Sequence, residues 1–366
     1  MIVYIVYIAF ALFAVGLVTL ESFLKNKTIK LVIFLSLLIG YLSLGILKGS
    51  SVGLDTANYS HIYESAKLAT FKDYVITDKL EYGYYASAYL FSASLKLPEI
   101  IFNAFNFLVI GVFLFLTFCH KERKTLYLTL FLFAGFFCMS FSGVRQSVAI
   151  SICTFAFFFY FESKSKTYVR LLVFYLLVTI AFLYHKSSIV LFIVPLITLI
   201  DLEFYQTPFV PLLLLLFFPI LLSRIYIIVI TNINQNSIVF DSRLSLTLVM
   251  EVVFIIIMYF LYNTSLGKRI RDKFNISDLN FGKVDSRYMW LVYLGCVFMC
   301  LNYSSTIATR FSMFFYLGIV YFVVKITDTI QKPAFQRVYI IGISALLGVY
   351  FVYSTPVLGL VPYVFR

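Results

Sequence analysis

Charge is scarce in this sequence. Only 13% of its 366 residues are Asp, Glu, Lys or Arg, against 62% hydrophobic, and the mean hydropathy is +0.96. That balance excludes a water-soluble enzyme. Histidine is scarcer still, at three residues, and no Asp-x-Asp occurs, so the chain offers no metal site and calls for no cofactor. Five cysteines (Cys119, Cys138, Cys153, Cys296 and Cys300) fall in or at the ends of apolar stretches, where they read as small core residues and not as a disulfide framework or metal motif. Internal repeats and low-complexity stretches are also missing. Acidic residues are the rarer charge, 17 against 29 basic, for a formal charge of +12. In so apolar a chain that excess points to a membrane surface and not to nucleic acid.

What is abundant is long apolar runs. A helix needs about 17 to 25 such residues to cross roughly 30 Å of hydrocarbon. Runs near 2–20, 31–47, 99–118, 125–142, 144–161, 170–184, 187–200, 208–230, 244–262, 288–303, 311–326 and 338–354 meet or approach that length, about twelve spans in all. The expected fold is an all-α, polytopic integral membrane protein whose residues 1–366 form one transmembrane domain. The first run lacks a basic start and a small-residue cleavage pattern, and Glu21, Lys25 and Lys27 follow it directly, so it reads as a retained helix.

The loops alternate in charge. Lys25, Lys27, Lys30; Lys121, Arg123, Lys124; Lys164, Lys166, Arg170; the basic group 268–287; and Lys325, Lys332, Arg337 share one face, 18 of the 29 basic residues. Short cytoplasmic loops collect Lys and Arg. This face is therefore expected in the cytoplasm, with both termini and the long segment 48–98 outside. A full crossing by the apolar stretch 82–97 would move the Lys121 cluster outside, so that stretch reads as re-entrant or interfacial.

Charges in or beside spans are costly and therefore informative. On the outer face lie Arg145, in the turn Gly143-Val144-Arg145-Gln146; His185, in Tyr184-His185-Lys186-Ser187; Arg310, after Ser304–Thr309; and Arg243, at the end of another loop. Any one of them reads equally as a side chain snorkelling to the interface. As a set they suit a lipid diphosphate, because guanidinium donates paired hydrogen bonds and keeps its charge when desolvated. His185 reads as a phosphate donor, a base or a structural imidazole. Segment 48–98 adds Asp55, Glu64, Asp73, Asp78 and Glu81, with Tyr59, Tyr63, Tyr74, Tyr82, Tyr84, Tyr85 and Tyr89, an array that fits either sugar stacking or an aromatic belt. Asp55 follows Gly53 and Glu81 precedes Gly83, so turns aim both carboxylates. Arg224 and Glu251 sit at matching depth on consecutive runs, roughly 10 Å in at 1.5 Å per residue, which predicts a structural ion pair.

Gly53-Leu54-Asp55-Thr56 with Tyr59 and Tyr63, Glu81-Tyr82-Gly83-Tyr84, Gly143-Val144-Arg145-Gln146 with Ala149, His185-Lys186-Ser187-Ser188, and Thr309-Arg310-Phe311 resemble, in that order, the EpsG-like, Wzy-type polysaccharide polymerases. Many relatives carry Pro where this chain has Tyr82. The resemblance implies a GT-C-like polymerase/ligase architecture in the bacterial cytoplasmic (inner) membrane. It implies glycosyl transfer between oligosaccharide repeat units carried on undecaprenyl diphosphate, at the outer face, among membrane lipids, with room for a chain-length-regulating partner. Arg145 and Arg310, with Arg243 as a weaker third, are then expected to grip the diphosphate; Asp55, Glu81 or His185 to act as base; and Tyr59, Tyr63, Tyr82 and Tyr84 to contact sugar. An O-antigen ligase would use the same donor with another acceptor. A lipid-linked sugar transporter or flippase would show polar groups through the full depth and on both faces.

Overall fold

The computed structural model describes residues 4–76, 81–199, 264–274, 276–277, 282–301 and 310–364. The described residues are helical, with no named strand. Among the described residues, eight helices are long and apolar enough to cross a membrane: α1 Ile5–Phe23, α2 Lys27–Ile46, α5 Glu99–Phe118, α6 Lys124–Ser142, α7 Val144–Glu162, α8 Thr167–Tyr184, α12 Arg310–Thr329 and α13 Pro333–Ser354. Shorter helices are α3 Thr56–Ala66, α4 Tyr82–Tyr89, α9 Lys186–Ile197 and α10 Ser265–Phe274, and α11 spans Lys283–Leu301. The eight correspond to eight of the twelve apolar runs, the run at 288–303 falls in α11, and those at 208–230 and 244–262 lie outside the described residues.

The run at 187–200 is corrected. Its described part is a 3-10 segment, Lys186–Ile193, followed by a single α-turn, Val194–Ile197. Twelve residues of that kind extend roughly 20 Å, short of the hydrocarbon thickness. Segment 82–97 is likewise too short to cross, with α4 continuing as a π-turn over Leu90–Ser94.

Contacts divide the chain into two compact units, Met1–Phe192 with Arg337–Arg366, and Ile193–Gln336. In the first, α6 and α7 are central, with 83% and 78% of their spanning residues buried, whereas α1, α2, α8 and α13 are 22–33% buried and turn apolar faces outward. Lipid is as apolar as the side chains, so close packing and not water exclusion holds such helices together. Aromatic rings supply it. Phe137 stacks on Phe141 at 4.3 Å and Phe133 on Phe351 at 4.9 Å, with Phe10 and Tyr41 against Phe137.

The helix ends of this unit gather into two layers. In one, Glu21 at the end of α1 accepts the Thr125 N–H at the start of α6, and Lys121 pairs with Glu162. In the other, Asn103 of α5 donates to the last carbonyls of α2, and Lys48 donates to the Phe141 carbonyl near the end of α6. The C-terminal segment straps this second layer: Tyr363 donates to the Leu44 carbonyl at 2.6 Å, and Gly359 accepts from Gly53 at 2.9 Å.

In the second unit α11 and α12 pack through stacked Tyr288 and Tyr321, 3.8 Å apart, and Phe298 and Phe315, 5.6 Å apart. Asp285 accepts from Gly282 N–H, the Tyr321 hydroxyl and Lys325, so its charge is fully engaged.

Candidate functional site

Three turns meet in the second layer of the first unit. Gly143 interrupts α6 and α7 and delivers Arg145 into the first turn of α7. A cation there opposes the helix dipole and needs an anion beside it. Glu81, at the N-cap position of α4, provides it: Oε2 lies 2.5 Å from Arg145 Nη1. His185 ends α8 in extended backbone, where the dipole favours positive charge. Its Nδ1 is 2.8 Å from Oε1 of the same Glu81, and the Lys186 N–H donates to that oxygen at 3.3 Å. One carboxylate therefore bridges a guanidinium and an imidazole that are 40 positions apart in sequence.

The reach of Glu81 depends on Gly83. A Cβ at that position would stand 3.1 Å from both the Cβ and the carbonyl oxygen of Leu183, so glycine lets α4 lie this close to the last turn of α8, two residues before His185.

Around the guanidinium stand three tyrosines, with ring centroids at 5.3 Å (Tyr59), 5.4 Å (Tyr84) and 5.9 Å (Tyr85) from Arg145 Cζ. These distances are within cation–π range, worth up to about 2 kcal/mol each where water is excluded. The site is enclosed, with side-chain exposures of 10% for Glu81, 19% for Arg145 and 8% for His185. Burial alone raises the Glu81 carboxyl, but the His185 hydrogen bond, the Arg145 charge and the Lys186 N–H outweigh it and hold the group below the usual carboxylate range. Burial pushes the Tyr59 phenol up, with Arg145 opposing.

Beyond the 2.8 Å approach of His185 Nδ1 to Glu81, neither imidazole nitrogen makes a well-formed hydrogen bond among the described residues, and Arg145 Nε is likewise buried without one. Buried donors and acceptors are nearly always satisfied, so Arg145 Nε and His185 Nε2 have capacity to meet a further polar group.

The remaining expectations divide. Asp55 occupies the N-cap position of α3 without a side-chain capping hydrogen bond, is half-buried, and makes no ion pair among the described residues. Arg310 is exposed at the start of α12, in the second unit. Arg243, Asp78, Arg224 and Glu251 lie outside the described residues. Tyr59 is half-buried and Tyr82 is 39% exposed. The other two expected sugar contacts, Tyr63 and Tyr84, face inward. Tyr63 is buried, donates to the Leu97 carbonyl at 2.7 Å and stacks on Phe102, while Tyr84 is buried as a wall of the arginine cage. Both hold the loop together because their rings face other rings of segment 59–105. Tyr85 and Lys48 were not among the expected site residues. Tyr85 was one tyrosine in a crowd, and a single Lys beyond a span carries no signal of its own.

A family model described as the EpsG family matches residues 31–365. No curated protein and no solved structure matches.

Proposed function

Because the chain belongs to the EpsG family, we propose that it is a membrane polysaccharide polymerase that joins lipid-diphosphate-linked oligosaccharides, and that Glu81, Arg145 and His185 form its reaction centre. The observation that carries this reading is the Glu81 carboxylate bridging Arg145 and His185, with a buried, unpartnered nitrogen left on each.

The three roles follow from the geometry. A carboxylate on Nδ1 holds the proton there and leaves Nε2 as the acceptor, which makes His185 the base and Glu81 its orienting group. The acceptor hydroxyl oxygen attacks the anomeric carbon of the growing chain, and its proton passes to His185 Nε2. The bond from that carbon to the lipid diphosphate breaks with its electron pair on the diphosphate, whose charge Arg145 stabilises. Arg310 and Arg243 are proposed as further diphosphate contacts, Tyr59 and Tyr82 as sugar contacts, and Asp55 as an outer carboxylate near the acceptor. The donor lipid is proposed to be undecaprenyl diphosphate.

Orientation supports the same picture. The loops at 24–26, 119–123 and 163–166 carry Lys25, Lys121, Arg123, Lys164 and Lys166, and they join helix ends on the layer opposite Glu81, Arg145 and His185. By the positive-inside rule this favours a reaction centre at the outer face of the cytoplasmic membrane.

Purified protein incubated with lipid-linked repeat units is expected to produce a ladder of chain lengths, which Arg145→Ala abolishes while still reaching the membrane. A single transfer to a different acceptor would replace the polymerase by a ligase. Movement of the lipid across the bilayer without product would replace it by a transporter.

A further inference from the structure

Lys48 is 3% exposed, just beyond the end of α2, and belongs to none of the groups assigned above. Its ammonium donates to Thr56 Oγ1 at 3.0 Å and to the Phe141 carbonyl, and it lies 5.9 Å from the centre of the Phe141 ring. A buried ammonium is costly unless its donors are engaged. Here the C-terminal end of α6 supplies the partly negative carbonyl that a cation favours. A cavity of about 30 Å³ beside it has room for about one water, and its wall sets Glu99, Asn103 and Asn106 beside Phe102 and Val144.

Thr56 and Phe141 belong to the turns that launch the site. Thr56 opens α3, whose next turn carries Tyr59, and Phe141 precedes the Ser142-Gly143-Val144 turn that delivers Arg145. The same turns are joined by the Leu54 N–H donating to Ser142 Oγ at 3.1 Å. Gly53 has φ +98° at this crossing, and a Cβ there would sit 2.3 Å from the Phe141 oxygen. No side chain fits between the turns, so their spacing is set by backbone contact and by the ammonium that spans them.

We infer that Lys48 is a positioning residue: its buried ammonium locks the turn that launches Tyr59 to the turn that launches Arg145, and so builds the cage around the guanidinium. The geometric half of this inference stands on the contacts alone, and its effect on turnover rests on the polymerase reading.

The test uses full-length protein in lipid nanodiscs and two readouts. The first is the rate of phenylglyoxal modification of Arg145 by peptide mass spectrometry, with Arg170, at the other layer of the first unit, as the internal reference. Lys48→Met is expected to raise Arg145 modification several-fold with Arg170 unchanged, and Lys48→Arg to recover part of the protection. The second is ladder formation, where Lys48→Met should lower the maximal rate on the order of 10²-fold, with a smaller change in half-saturating donor. Should Lys48→Met fail to fold, Thr56→Val, which removes one partner of the ammonium, carries the same readouts. Unchanged Arg145 modification, or an equal rise at Arg170, overturns the inference. Absence of a ladder in the wild type overturns the polymerase reading instead, and the modification rates still decide the role of Lys48.

Discussion

The two layers of helix ends in the first unit use the same kinds of residue to different ends. On the layer of the basic loops, Lys121 gives its ammonium to both oxygens of Glu162, and Glu21 accepts the Thr125 N–H, so each carboxylate serves one helix junction. On the opposite layer, one carboxylate serves two basic groups, and each keeps a buried nitrogen unpartnered among the described residues. The difference lies in how many charges one carboxylate serves, since unpartnered buried atoms, Arg170 Nε and Thr125 Oγ1, occur on the first layer too. A carboxylate committed to a single junction stabilises that junction, and one shared by two basic groups holds both at a single point.

If this contrast is correct, substitutions on the two layers differ sharply. The largest effect is expected from His185→Ala, which should lower polymerisation by about 10²- to 10⁴-fold while the protein remains folded, measured as initial ladder formation. A fully active His185→Ala enzyme would move the base elsewhere, with Asp55 next in line. Glu81→Gln should follow. It keeps the shape but leaves Arg145 without its counter-charge, lowering both activity and thermal stability, the latter by about 3 kcal/mol as read by unfolding in detergent.

The pH dependence comes from the same residue. Because the Glu81 carboxyl is held below its ordinary value, its contribution to stability is fully present above the unfolded value, about 4.3, and is lost as pH falls through the lowered native value. Hydrogen exchange at α4 should therefore rise on acidification below about pH 4, and Glu81→Gln should remove that rise. An acid-induced opening that persists in Glu81→Gln would assign it to other groups.

Gly83→Ala sharpens the comparison at smaller scale. The added methyl meets Leu183 at 3.1 Å, so α4 must shift by a few tenths of an ångström, and activity should fall with little loss of helix content by circular dichroism. The smallest effect is expected on the other layer. Lys121 and Glu162 have side chains 15% and 24% exposed at a loop, and Lys121→Met should change stability by about 1 kcal/mol and leave chain lengths as in the wild type. Loss of polymer in Lys121→Met would break the division into a structural and a reactive layer.

Much of this was legible in sequence. The eight spanning helices follow from apolar run length, because backbone in hydrocarbon must bond within its own helix, so length and hydropathy alone mark the segments. The run at 187–200 misled because composition does not distinguish a 3-10 segment with Ser187, Ser188 and Pro195 from a continuous helix. Arg145 and His185 stood out as charge or imidazole at a span end, and Glu81 as a carboxylate beside a glycine turn in segment 48–98. Their mutual contact did not, since no periodicity links turns so far apart in the chain.

Sequence by itself determined that this is a helical membrane protein, where the eight long apolar helices among the described residues run, and that scarce polar residues collect at certain turns; hydropathy and charge are local quantities, and a membrane reads them segment by segment. Tertiary structure alone decided that Glu81 bridges two basic partners, that Tyr63 and Tyr84 turn inward while Tyr82 turns out, and that Lys48 spans two turns. The physical reason is burial: the worth of a buried charge is set by the few groups within hydrogen-bond reach, and those are chosen only when distant segments pack.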